Sequence, residues 1–209
     1  MLPETLLAFD TSAAHCAAAL LLPDGSCFNR SEDMAKGQAE RLIPMLEELL
    51  AEAGFDWHDL AGVAVGTGPG NFTGVRISVA AARGLALSLR VPALGVTRFE
   101  ALAFGLPRPI TVLEDARRDE VYMQRFDHGT AQPARLLPLA DVVAQGRVTG
   151  SGAVLLGLPA LPQPVAFAEA IARIALSRLD TKQPRPAPFY LRGADAAPPS
   201  DPPPVMLDA

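Results

Sequence analysis

Apolar residues in this chain fall into short unbroken runs and into helical spacings, and the two alternate. Residues 5–9 form an apolar run that stops at Asp10-Thr11-Ser12, the pattern of a buried strand ending in a polar turn. Residues 15–22 predict a second strand, Pro23-Asp24-Gly25 a hairpin turn, and residues 26–31 a weaker third strand. Together they predict an antiparallel meander. Gly37-Gln38 then opens a helix in which Leu42, Met45, Leu46, Leu49, Leu50 and Ala53 share one face. Gly54 is its stop signal, and Pro44 predicts that the helix starts near it or kinks there.

Residues 61–65 read as a buried strand that enters a glycine-rich stretch, Gly66 to Gly74. A helix over 75–89, a strand over 92–96 and a helix over 97–104 follow. The order β-β-β-α-β-α-β-α predicts a mixed sheet with helices packed on it. Gly105 to Pro109 marks a boundary. Beyond it, strands are expected at 110–113 and 120–126, on either side of a turn at 115–119. A looser Gly- and Pro-rich segment follows, and a helix over 168–179 is expected to close this smaller region. The expected organisation is a lobe over 1–105, a smaller one over 106–193, and a disordered Ala/Pro-rich tail over 194–209. Both halves open with a strand that ends in an acidic residue.

With 49% hydrophobic and 20% charged residues, the composition is that of a globular protein and excludes a disordered chain. A formal net charge of −5 argues against independent nucleic-acid binding, leaving a partner to supply the basic face. Cys16 and Cys27 are too few for a disulfide framework and are expected to be reduced. The start lacks a basic signal-peptide region, and no apolar run approaches the ~20 residues that span a bilayer. A cytoplasmic protein without membrane contact is expected.

The glycine-rich stretch is neither a Walker A loop, because Val75-Arg76 follows Gly74, nor Gly-x-Gly-x-x-Gly, because Asn71 replaces the third glycine. It does lead a strand into a helix N-terminus, where free N–H groups attract anions. Asp10, Thr11 and Ser12, with Gly68, Gly70 and Thr73, are therefore candidate nucleotide contacts. The alternative is a structural loop whose glycines permit close backbone approach. On the following helix, Ser78, Ala81, Ala82 and Leu85 form a small-residue face. It suits packing on the protein's own sheet and association with another helix equally well. His15, His58 and His128 are isolated and lack ligand spacing, so no metal site is expected. Arg117-Arg118-Asp119-Glu120 reads as a solvated turn.

Several segments together carry a resemblance. They are Phe9-Asp10-Thr11-Ser12, GQAERLIPML from Gly37, GTGPGNFTGVRI from Gly66, Glu114 to Tyr122, and Phe189-Tyr190-Leu191-Arg192. In combination, over residues 5–192, they resemble the TsaB (YeaZ) family, partners in making threonylcarbamoyladenosine in tRNA. The resemblance implies the actin-like ATPase fold, with two ribonuclease-H-like lobes of which the second is reduced. It implies a non-catalytic scaffold that pairs with a TsaD-type transferase through the two helices. Leu42, Met45, Leu46, Leu49, Ser78, Ala81, Ala82 and Leu85 are the expected contact residues. A TsaE-type ATPase would join the complex, tRNA would be met only through it, and the same surface would support homodimers in isolation. The resemblance requires no cofactor of this chain and leaves room for ATP or ADP at the partner interface. TsaD proteins carry a metal-binding His-x-x-x-His after the Gly-Val strand; Arg98 and Leu102 stand there in this chain, and neither side chain can ligate a metal. The rival expectation is an ATP-binding enzyme transferring a carbamoyl or phosphoryl group, built on Asp10, Thr11 and the glycine-rich loop.

Overall fold

The computed structural model describes residues 4–144 and 146–193. The meander forms as the apolar runs predict. β1 (Thr5–Asp10), β2 (His15–Leu21) and β3 (Cys27–Asp33) pair antiparallel. β4 (Leu60–Gly66) and β5 (Ala93–Val96) extend the sheet in parallel on the other side of β1, giving the order β3-β2-β1-β4-β5. The two central strands, β1 and β4, are covered on both faces, which is why their sequences are continuously apolar.

α1 (Gln38–Ala53) and α2 (Phe72–Leu89) cover one face. Leu42, Met45, Leu46 and Leu49 of α1 join Val75, Val79 and Ala82 of α2 against Leu7, Phe9, Leu20, Val63 and Val65. α1 neither starts nor ends at Pro44. The ring sits on the exposed side, and only the Glu40 carbonyl forgoes a helical donor. Arg41 bridges to Glu32 and Glu48, and Arg30 to Glu48 and Glu52, which pins the polar side of α1 to β3. α2 begins three residues before the expected start, because the Asn71 side chain caps it by accepting from the Gly74 N–H at 2.9 Å. By length and composition α2 is long and apolar enough to cross a membrane, with mean hydropathy 1.2 over 18 residues. Its apolar side is committed to the sheet.

That packing corrects the expected partner surface. Leu42, Met45, Leu46, Leu49, Ser78 and Ala82 are buried beneath the protein's own sheet, and the half-buried Ala81 and Leu85 pack against the same cluster. Periodicity reports which side of a helix is buried, not what buries it. The sides left outside carry Ile43, Pro44 and Glu47 on α1 and Ala80, Gly84 and Leu87 on α2.

α3 (Arg98–Ala103) and α5 (Phe167–Leu176) cover the opposite face. There Ala101, Ala170, Ile171, Ala172 and Ala175 meet Leu6, Ala8, Leu21, Ala64, Leu94 and Val96. α5 was expected to close the smaller region, yet it crosses back to pack on β1 and β2 of the first sheet. The alanines of α5 let its backbone lie close to that sheet. Arg178, just beyond it, reaches the Gly95 carbonyl at 3.2 Å and Glu100 at 2.6 Å.

The second sheet, β6 (Ile110–Arg117), β7 (Glu120–Phe126), β8 (Arg135–Pro138) and β9 (Arg147–Thr149), has the order β8-β7-β6-β9. β9 runs parallel to β6 and leads into α4 (Ser151–Leu155). β8, β9 and α4 have four, three and five residues, too few to show a period in the sequence. Phe99 and Leu102 of α3 pack with Ile110, Val112, Tyr122 and Phe126, so one helix joins both sheets. Arg117, Arg118 and Asp119 all take left-handed φ, 63°, 56° and 57°, in the turn between β6 and β7. Cys16 lies opposite Glu32 and Cys27 opposite Leu21; both are free thiols. Burial pushes each thiol up to about 11. The expected tail at 194–209 falls outside the described residues.

Gly74 lies in the first turn of α2, where an added Cβ would stand 1.9 Å from the Thr11 carbonyl oxygen. Gly84, on the exposed side of the same helix, has nothing within 4 Å of that position. Gly74→Ala should therefore destabilise the fold by about 3 kcal/mol. Gly84→Ala should be neutral or stabilise by up to ~1 kcal/mol. Denaturant melts of the two variants check this; equal effects would contradict the close approach.

Candidate functional site

β1 ends on Asp10, and β6 carries Glu114 opposite Tyr122 of β7. The Asp10 carboxylate is fully buried. Its Oδ1 accepts from the Ser12 N–H and the Ser12 hydroxyl, both at 2.9 Å, and from His15 Nε2 at 2.8 Å. Its Oδ2 is buried without a hydrogen-bond partner. Gly66 makes room for that oxygen, since a Cβ there would come within 2.0 Å of it. Burial raises the Asp10 pKa. The His15 hydrogen bond, the charges of His15 and Arg98 and the Ser12 N–H outweigh it, and hold the carboxyl below its ordinary 3.8.

Arg98 opens α3, and its guanidinium sits between the two sheets. Its Nε donates to Glu114 Oε2, and its Cζ lies 4.9 Å from the centre of the Phe167 ring. Glu114 Oε1 accepts from the Ser151 N–H at 2.8 Å and the Ser151 hydroxyl at 3.1 Å. Burial favours the neutral form of Arg98, but Glu114 and Asp10 overcome this and raise its pKa. One guanidinium nitrogen, Nη1, is buried and unpartnered. Asp10, His15, Arg98, Glu114 and Ser151 thus form one polar seam across the joint between the sheets.

A cavity of about 550 Å³ opens beside the seam, with Ser12, Gly70, Asn71, Arg98, Glu114 and Ser151 among its walls. The candidate nucleotide contacts divide here. Ser12 and Gly70 reach the cavity. Asp10 and Thr11 are fully buried, and the Thr11 hydroxyl is used internally, donating to the Gly74 carbonyl at 2.7 Å. Gly68 lends its carbonyl to the Arg98 N–H at 2.7 Å, and Thr73 is exposed on α2, away from the cavity lining. The Asn71 N–H donates to the Ser12 carbonyl at 2.7 Å, so loop and turn clasp each other directly. Much of the glycine-rich stretch therefore does the work of a structural loop.

Sequence reasoning missed three members of the seam. His15 looked isolated because its partner is five residues away, across the turn between β1 and β2. Ser151 carries no signal of its own. Glu114 was foreshadowed by the acidic residue closing the first strand of each half and by the motif from Glu114 to Tyr122, neither of which pairs it with Arg98. Leu102, the second position compared with the transferase histidines, belongs to the core between α3 and β6.

The family model described as TsaD, tRNA N6-adenosine threonylcarbamoyltransferase, matches residues 31–196, most of the chain. Residues 31–196 thus belong to a TsaD-type domain. Within that class the chain belongs to the TsaB (YeaZ) family. The solved structure of YeaZ from Pseudomonas aeruginosa is 31% identical, with a TM-score of 0.74 over 90% of this chain and 100% of that one. TsaB of Escherichia coli is 34% identical over 145 residues, 64% of this chain and 62% of that protein. Rv3421c of Mycobacterium tuberculosis, described as uncharacterized, is 34% identical over 93% of this chain and 95% of its own length. The chain spans little more than half of some curated relatives, 56% of a Mycobacterium leprae protein among them.

Removing one side of a buried ion pair strands the other. Arg98→Met should therefore cost about 3 kcal/mol, and the double variant Arg98→Met/Glu114→Gln should recover half or more of it. Denaturant unfolding of both checks the coupling, and additive losses would refute it. Asp10 supplies a pH signature. Because its folded pKa is depressed, its stabilisation is present above about pH 4 and is lost as pH falls through the folded value. Asp10→Asn should be less stable than the parent by about 2 kcal/mol at pH 7. That gap should narrow as pH falls below the ordinary carboxyl value of 3.8 and through the lower folded value, as measured by unfolding at a series of pH values.

Proposed function

We propose that this chain is a non-catalytic partner of a TsaD-type transferase in forming N6-threonylcarbamoyladenosine on tRNA, working with a TsaE-type ATPase. The observation that carries the proposal is the Arg98–Glu114 pair. Where the transferase's metal-binding histidine would stand, this chain holds a permanent cation already committed to a buried carboxylate. The reading also draws on membership of the TsaB family, whose named members are tRNA threonylcarbamoyladenosine biosynthesis proteins. The strand order β3-β2-β1-β4-β5 agrees with an actin-like lobe, and the four-stranded second sheet with a reduced partner lobe.

The outer sides of α1 and α2 are the proposed docking face for the transferase. Ala80, Gly84 and Leu87 recur at i, i+4 and i+7, and Leu87 is 81% exposed. Small residues beside an exposed leucine let a second helix pair approach closely. Without the transferase, the same face would support a homodimer.

One observation favours the rival reading of an ATP-binding transferase. Two buried polar atoms without a hydrogen-bond partner, Arg98 Nη1 and Asp10 Oδ2, belong to the seam, and Arg98 is among the residues that line the cavity. Reconstitution separates the two readings. An assay with tRNA, threonine, bicarbonate, ATP, the enzyme that makes threonylcarbamoyl-AMP, TsaD and TsaE should yield modified tRNA only when this chain is added. Full product without it would overturn the partner role. ATP binding by the isolated chain, lost in Asp10→Ala, would favour the enzyme.

In the same system, Leu87→Glu should weaken association with the transferase at least tenfold while leaving the melting temperature nearly unchanged. Ala82→Glu should instead unfold the chain, because it puts an unpaired charge into the core. Calorimetric titration and thermal melts distinguish the outcomes, and normal binding by Leu87→Glu would displace the docking face.

A further inference from the structure

A second cavity, of about 630 Å³, adjoins the first and shares Gly70 and Tyr122 with it. Neither the seam nor the proposed docking face uses it. Phe72, in the first turn of α2, stacks on Tyr190, with ring centres 4.9 Å apart and planes 29° from parallel. Both residues are 40% exposed. The Arg76 guanidinium lies 3.8 Å from the centre of the Phe72 ring, and its Nε donates to the Tyr190 hydroxyl at 3.1 Å.

The charges point one way. Arg76, Arg118 and Arg192 line the cavity, and among the described residues no carboxylate does. Arg192 pairs with Glu120 behind the cavity. Among the described residues Arg76 has the ring and the phenol as partners, and no anion of theirs lies opposite its charge. An exposed aromatic stack beside an uncompensated guanidinium selects a flat π-system carrying a negative charge.

We infer that this cavity takes an unpaired nucleotide of an RNA strand, its base laid on the Phe72–Tyr190 stack and its phosphate against Arg76. The charge balance favours RNA over a free nucleotide. A phosphodiester brings one negative charge per unit, which one uncompensated arginine matches, whereas a free di- or triphosphate brings two or more extra charges. The inference deepens the proposed role and rests on it in that the substrate there is an RNA. It also answers the acidic balance of the chain: the contact is local and does not need a basic face.

The test is a fluorescence-anisotropy titration of the full chain with a labelled, unstructured heptaribonucleotide, repeated across a salt series. Phe72→Ala and Tyr190→Ala should each weaken binding about tenfold, the usual loss of one stacking partner. Tyr190→Phe, which keeps the ring, should bind nearly as the parent does. Arg76→Gln should reduce the slope of log K against log salt by about 0.7, the share of one phosphate contact on a single strand. Parent-like binding by both alanine variants would overturn the inference, as would an unchanged salt slope in Arg76→Gln. AMP or ADP competing as well as the oligonucleotide would reassign the cavity to a free nucleotide. The modification assay reads the proposed role separately. Variants that lose RNA binding but support full product would refute this cavity's place in the reaction and leave the partner role standing. A chain that binds RNA through the stack but is dispensable for product would do the reverse.

Discussion

The architecture turns on a buried charge. Arg98 enters the joint between two sheets, where an ion is costly unless it is paired. Glu114 pairs it, Ser151 orients Glu114, and Asp10 adds a second negative field from the other sheet. None of these groups can be moved alone. Asp10 depends on Gly66 for space and on Ser12 and His15 for donors. The seam therefore fixes how the two sheets meet, and the cavity beside it inherits its shape from that registration.

The same constraint bears on chemistry. A site that binds and turns over a nucleotide needs donors free to meet it. Here Thr11 donates to Gly74, Gly68 holds the Arg98 N–H, and Asn71 caps α2. The carboxylate and hydroxyl layout at the end of β1 is thus largely spent on internal bonds. The proposed scaffold role, which asks for rigidity more than reactivity, is consistent with that use.

Much of the first sheet was legible in the sequence. Continuous apolar runs marked the strands, and Gly25 and Gly54 marked turn and stop. Helical spacing marked the inward side of α1. Legibility ended where elements were shorter than a period, as in β8, β9 and α4, and where an element packs far from its sequence neighbours. α5 follows the second sheet along the chain but lies on the first, because alanine-rich helices fit closely on flat apolar strands wherever the chain allows. The partner surface shows the same limit: spacing found the buried side of each helix and could not say that the burying surface was the protein's own.

The sequence by itself determined the strand–helix order of the first sheet and its helices, and the family motifs. These are local properties, readable from residue type and spacing. Tertiary structure alone decided that Arg98 closes on Glu114, that His15 serves Asp10, and that Phe72 meets Tyr190. Those pairs are separated by 16, 5 and 118 positions along the chain. Contact between them depends on how sheets and helices stack, and no period or motif encodes that.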